Sequence, residues 1–227
     1  GQGMDINSDG VIDLDLYALG ARPNHKDLFV EIDCMSGFTP TSLTPVVTAF
    51  ANAPVSNPDN TSGISLHLQI DDTTVAVSGE WVYADIGGNL ENLKSIFFGT
   101  AAERGSPNSV NILAAKRKAY RYCLYASTST GVLGWARNTP GNDLVIFRGM
   151  SLLGDPTRER ATFMHEVGHC LGLDHGPVDV SDPTLFIALQ PNYISVMNYL
   201  KSLPFNAGSA WRLDYSRGSM LPIIENN

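Results

Sequence analysis

One short stretch concentrates residues able to do chemistry: His165-Glu166-Val167-Gly168-His169-Cys170-Leu171-Gly172-Leu173-Asp174-His175, an H-E-x-x-H-x-x-G-x-x-H pattern. A helix turns by ~100° per residue, so with His165 at the origin His169 falls at about 40° and Glu166 at about 100°. Two imidazoles one turn apart then grip a single cation with a carboxylate beside them. Phe163, Val167, Cys170 and Leu171 occupy the opposite sector, giving the helix a chemical side and a core side. Gly172 explains how a third ligand arrives. Without a side chain it adopts the left-handed conformation that ends a helix and turns His175 back toward the first two imidazoles. Three neutral imidazoles with a fourth position left for water describe a catalytic rather than a structural zinc site. Nitrogen donors in tetrahedral geometry favour zinc, with copper and cobalt as competitors. The other histidines, His25 and His67, stand apart and read as a loop and a strand histidine.

A second metal-binding pattern opens the chain. Asp5, Asn7 and Asp9 at alternate positions, then Gly10 and Asp13, follow the start of an EF-type calcium loop, with the Val11 carbonyl at the seventh position. Leu16 stands where such loops carry a bidentate Glu, and Asp15 is one place early. The expectation is a structural calcium ion that braces the N-terminal segment and takes no part in catalysis.

The elements that must hold these groups follow from periodicity. Asp155 is placed as an N-cap and Pro156 at the first helical position, predicting a helix over 155–171 that carries the first two histidines. Residues 28–32 read as a strand. Residues 42–53 read as a helix with Pro45 in its first turn, and 64–70 as a half-buried strand of alternating character. A short helix is expected over 89–98, with Leu90, Leu93 and Phe97 on one face. Residues 120–126 and 143–147 are β-rich, with a weaker strand over 131–137 and turn chemistry at 139–142. The order predicts an α+β chain: a mixed sheet carrying helices, then a small irregular lobe, with the boundary near 172–176. Residues 1–25 form a separate Asp-rich zone, and 26–227 are expected to fold as one unit.

Composition narrows the function. The 227 residues carry 15 Lys and Arg against 23 Asp and Glu, a net charge of −8, so a nucleic-acid partner is not expected. A hydrophobic content of 43% is that of a globular chain rather than a disordered one. The longest charge-free stretch, 34–58, is broken by prolines and polar residues, so no membrane span is expected. No basic segment followed by an apolar one opens the sequence, which therefore reads as a mature soluble form. Three cysteines, Cys34, Cys123 and Cys170, allow one bridge and a free thiol or three buried thiols.

The span from His165 to His175, followed by Ser195-Val196-Met197-Asn198-Tyr199, resembles the metzincin zinc endopeptidases, whose long motif is followed by a Met-turn. The likeness is greatest to secreted bacterial members with a Pro-Asn-Tyr-x-Ser-Val-Met-Asn-Tyr stretch, here 191–199. Pro177 departs from the second Gly those relatives often carry. The resemblance implies a cleft between an upper lobe, to about residue 175, with a twisted five-stranded sheet and two long helices, and a small irregular lower lobe, 176–227. It implies His165, His169 and His175 as zinc ligands, Glu166 as general base and Met197 as a packed support beneath the metal. Tyr199 would serve the metal or the transition state, the alternative being a tyrosine that merely packs under the site. Strand 131–137 would form the cleft rim and pair with an extended protein or peptide substrate. Residues 200–215, with Leu203, Phe205, Trp211 and Arg212, would bound the specificity pocket, braced by Asp214 and Tyr215. A secreted, monomeric enzyme is expected. The competing readings are a catalytically silent zinc-bearing module and a zinc amidase acting on non-peptide amides. The retained Glu166 argues against the first, because a structural site needs no base beside an open coordination position.

Overall fold

The computed structural model describes residues 3–129, 131–149, 154–176, 193–199, 202–203 and 211–216. Its frame is a five-stranded sheet in the order β2-β1-β3-β5-β4. Strand β1 is Asp27–Cys34, β2 Ser65–Ile70, β3 Tyr120–Ala126, β4 Gly134–Ala136 and β5 Asp143–Phe147. The β1/β2, β1/β3 and β3/β5 pairs are parallel, and β4 is antiparallel to β5 at one edge. Parallel neighbours need long crossovers, which place helices over the sheet. The crossovers carry α1 (Thr44–Ala51), α2 (Ile86–Phe97), α3 (Ala101–Arg104) and α4 (Ser109–Ala119), and α5 (Pro156–Cys170) follows β5. The chain is thus α+β with a mixed sheet, as its patterning predicts.

Strands covered on both faces lose simple alternation and read as apolar runs, and β5 is buried at every position. On one face Val30, Ile32, Cys123, Tyr125, Leu144 and Ile146 pack against Val46 and Phe50 of α1 and Phe163, Met164 and Val167 of α5. On the other, Phe29, Tyr122, Leu124 and Val145 meet Ile86 and Leu90 of α2 and Ala115 of α4. Cys34, Cys123 and Cys170 are three separate buried thiols.

The second face also buries charge. Glu31 and Lys116 are both wholly enclosed, with Lys116 Nζ 2.5 Å from a Glu31 oxygen and 2.7 Å from Glu103. The other Glu31 oxygen accepts the Gly99 N–H at 2.7 Å. Two positions along β1, Asp33 accepts the Tyr122 hydroxyl at 2.8 Å and the Asp72 N–H at 3.1 Å. Burial pushes its carboxyl up to about 7, against the opposing pull of the Tyr122 hydrogen bond.

Strands 120–126 and 143–147 form at the predicted bounds, while the helix expected over 89–98 begins one turn earlier, at Ile86. Helices α3 and α4 were not expected. The fully buried residues of α4 are Ala115 and Lys116, with Leu113 and Ala119 packed partly against the core, so its apolar side is small and interrupted by a buried ion pair.

Candidate metal centre

The α5 helix starts where its capping residues require: the Asp155 carboxylate accepts the Arg158 N–H at 3.0 Å, and Pro156 follows in the first turn. It ends at Gly172, whose φ of +92° suits glycine. There the Gly172 N–H bonds to the His169 carbonyl and the Leu173 N–H to the Gly168 carbonyl, both at 2.9 Å, closing the last turn. The chain that leaves this turn brings His175 back to α5.

The three Nε2 atoms converge: His165 to His169 is 3.1 Å, His165 to His175 3.2 Å and His169 to His175 3.0 Å. Tetrahedral zinc with Zn–N bonds of ~2.0–2.1 Å holds its nitrogens roughly 3.3 Å apart, close to this spacing. The opposite ring nitrogens are engaged elsewhere. His165 Nδ1 donates to the Val196 carbonyl and His169 Nδ1 to the Leu173 carbonyl, each at 2.8 Å. Those bonds fix the tautomers of His165 and His169 and turn their Nε2 lone pairs toward each other and toward His175 Nε2, an arrangement that a shared cation satisfies. Protonation does not supply it, since burial lowers the proton affinity of all three imidazoles and takes His165 to about 3. The donor set fits a zinc ion.

Glu166 lies beside the imidazoles, buried, with no hydrogen bond to its carboxylate among the described residues, and burial pushes its proton affinity up to about 8. Gly134 of β4 makes room for it: a Cβ there would stand 2.6 Å from Glu166 Oε1 and 2.7 Å from Cγ. The sequence reading did not single out Gly134, although glycine inside a strand is a recognised sign of close approach.

The turn at 195–198 supports the histidines from below. Ser195 Oγ accepts the Met197 N–H at 3.0 Å, and the Asn198 side chain donates to the Tyr193 carbonyl at 2.6 Å. Met197 is wholly buried. Its sulfur would be 2.5 Å from a Cβ on Gly168, so the thioether rests on α5 between the two ligand-bearing turns. Tyr215 braces the same helix by donating to the Met164 carbonyl at 2.8 Å. Tyr199 stands alongside the ligands: its ring lies 4.1 Å from that of His175 and 5.7 Å from that of His165, and it is 53% exposed.

A cavity of ≈ 240 Å³ beside Glu166 is lined by Val132, Leu133, Ala161, Thr162, Ser202 and Leu203 among others. Of the expected pocket wall, Leu203 reaches it. Arg212 is exposed and donates to the Trp211 carbonyl instead, and Phe205 lies outside the described residues. Strand β4 occupies the sheet edge beside this cavity.

The carboxylates of Asp5, Asp9 and Asp13 do not form a cluster of three within reach of one ion. Among the described residues, the groups of three or more acidic, His or Cys side chains with ligand atoms within 4.8 Å are the histidine cluster and Glu31, Asp33 and Asp71. Asp5 accepts the Asp9 and Gly10 N–H groups, and Asn7 and Asp9 bond to each other. Asp13 accepts the Ile6 N–H at 2.8 Å and the Asn108 side chain at 2.6 Å, tying the segment to α4. Val11 is exposed. The calcium expectation therefore gains no support. His67 is a strand histidine, as read, bonded to Asp27 at 2.7 Å and stacked on Phe29.

The sequence matches no protein-family description and no curated protein. Among solved structures it is similar to the archaemetzincin of Methanopyrus kandleri, at 18% identity over 87% of this chain and 93% of that one, with a TM-score of 0.43. A likeness of that depth says nothing of chemistry, which has to be read from the residues of the site.

Proposed function

We propose that this chain is a zinc-dependent endopeptidase. The observation that carries the reading is the convergence of three Nε2 lone pairs, 3.0–3.2 Å apart, beside a buried carboxylate at the foot of an open cleft. His165, His169 and His175 would hold the ion, which when bound supplies a Lewis acid that polarises a carbonyl and acidifies a water. Glu166 then takes the proton of the attacking water and returns it to the leaving amine. Tyr199, with its ring against His175, can offer its hydroxyl to the oxyanion of the transition state.

Strand β4 supplies the substrate rim. On either side of it the Leu133 carbonyl accepts the Phe147 N–H and the Arg137 N–H donates to the Asp143 carbonyl, so alternate backbone groups face β5. The intervening groups at Val132, Gly134 and Ala136 are left for an added strand, and an extended peptide can pair there. The cavity lined by Leu133, Ala161 and Leu203 would take one apolar side chain. The remaining parts of the proposal are that the enzyme is secreted, acts as a monomer and has a catalytic unit over 26–227 with its second lobe beyond 175.

The test is a mixed peptide library incubated with the protein and read by mass spectrometry, with a zinc chelator and Glu166→Ala in parallel. Cleavage lost in both controls, with zinc retained in the variant, is the expected result. Full cleavage by Glu166→Ala would defeat the assignment. Intact peptides with hydrolysis of small non-peptide amides would transfer the site to the amidase reading.

A further inference from the structure

The cleft continues past the imidazoles, away from the apolar cavity, and there its lining changes character. A second cavity of ≈ 240 Å³ takes in the three imidazoles, Glu166 and Tyr199 themselves, and its outer wall, on the side away from Ala161 and Leu203, is Tyr83, Trp135, Thr139 and Asp174. Tyr83 comes from the single turn at Tyr83–Asp85 and is 61% exposed, although it is a large aromatic group. Trp135 projects from β4 and is backed by α2, where a Cβ on Gly87 would lie 3.4 Å from its ring. Asp174 is partly exposed, and among the described residues its carboxylate has no hydrogen-bond or ion-pair partner.

Two aromatic rings and an unpaired carboxylate around one cavity form a setting for a cation. Ring faces attract an ammonium or guanidinium, and the carboxylate adds an ion pair that a neutral side chain of the same length cannot make. The net charge of −8 draws basic peptides toward the chain as a whole. The chain runs from Gly134 beside Glu166 through β4 to Thr139, so a peptide taken as antiparallel on the free edge places its amino-terminal half toward Thr139 and Asp174.

We infer that this cavity is a specificity subsite for a Lys or Arg side chain on the amino-terminal side of the cleaved bond. The inference rests on the endopeptidase reading and names the substrate class that reading leaves open.

The experiment compares matched fluorogenic peptides that differ only in Lys, Arg, norleucine or Glu at the three positions before the cleaved bond. They are assayed with the zinc-loaded wild type, Asp174→Asn, Asp174→Lys and Tyr83→Ala, after zinc content is measured for each. The wild type should favour Lys and Arg over norleucine by about tenfold in kcat/KM, the combined size expected of one exposed ion pair and one cation–ring contact. Asp174→Asn should remove most of that ratio, Asp174→Lys should turn it toward Glu, and Tyr83→Ala, distant from the ligand positions in sequence, should lower it with zinc unchanged. Cleavage with no basic preference, a basic preference confined to the carboxyl side, or a preference surviving in Asp174→Asn would each overturn the subsite while leaving the peptidase reading intact. If no peptide is cut, the peptidase reading fails. Anisotropy of the same labelled peptides then decides the subsite: tighter binding of Lys than norleucine that Asp174→Asn abolishes upholds it, and equal binding overturns it.

Discussion

Gly134→Ala is the perturbation that most directly joins packing to the proposed chemistry. The backbone at Gly134 is not left-handed, so alanine is permitted by conformation and only space is at issue. The added methyl would lie 2.6 Å from Glu166 Oε1, 2.7 Å from Cγ and 2.9 Å from Cδ. Ordinary carbon contacts begin at about 3.5 Å, so the carboxylate has to retreat by roughly 0.6–0.9 Å. Glu166 is buried on α5 and lines both cavities of the cleft. A displacement of that order in a proton-transferring group is expected to lower kcat about 10- to 100-fold, since ~1 Å of misplacement can cost 10²-fold. KM and zinc stoichiometry should hold, because neither β4 pairing nor the imidazoles are touched. The assay is steady-state cleavage of a library-derived peptide by Gly134→Ala, Glu166→Ala and the double variant. If the methyl acts through Glu166, the double variant is no slower than Glu166→Ala alone. Activity within twofold of wild type in Gly134→Ala, or a further loss in the double variant, would refute the reasoning.

Two other outcomes follow from the packing and the buried charges. Gly168→Ala places a Cβ 2.5 Å from the Met197 sulfur and 2.7 Å from Tyr215. It should cost about 1–3 kcal/mol in urea denaturation and weaken zinc retention, both relieved in part by the smaller Met197→Ala in the same chain; wild-type stability in the single variant would contradict the close contact. Asp33 gives a pH dependence. Its proton affinity rises from an ordinary 3.8 to about 7 in the folded chain. Below pH ~4 the group is protonated in both states. As pH climbs toward about 7 the unfolded chain ionises first, so stability falls, and the full cost, about 4 kcal/mol at ~1.4 kcal/mol per tenfold change in proton affinity, is present above that. Asp33→Asn should flatten this part of the stability profile between about pH 4 and 7, and identical slopes in the two proteins would show that Asp33 does not carry it.

The histidine cluster was legible because its spacing is itself a geometry: one turn from His165 to His169, then a glycine turn that can only fold back. Strands such as Asp143–Phe147 were equally legible, since burial on both faces writes an apolar run. Helix α4 was not, because its inward residue is Lys116, and periodicity counts a lysine as a solvent-facing group. Its partner Glu31 lies 85 positions away in sequence, a pairing no local pattern displays. The same holds for Gly134, Tyr83 and Asp174. Each matters through a neighbour brought from another element, and none stands at a fixed position of a motif, Asp174 falling at a variable position of the histidine pattern. The N-terminal acids differ again: Asp5, Asn7, Asp9 and Asp13 have the spacing of a calcium loop, and their oxygens accept nearby N–H groups and the Asn108 side chain, contacts that spacing alone does not display.

The central claim is that three imidazoles hold one catalytic zinc ion beside Glu166. Anomalous diffraction at the zinc edge from crystals of the zinc-loaded protein tests it most directly. The account predicts one ion at ~2.0–2.1 Å from Nε2 of His165, His169 and His175, with a coordination position open toward Glu166. A site without an ion at saturating zinc, or an ion closed off by a fourth protein ligand, would contradict it.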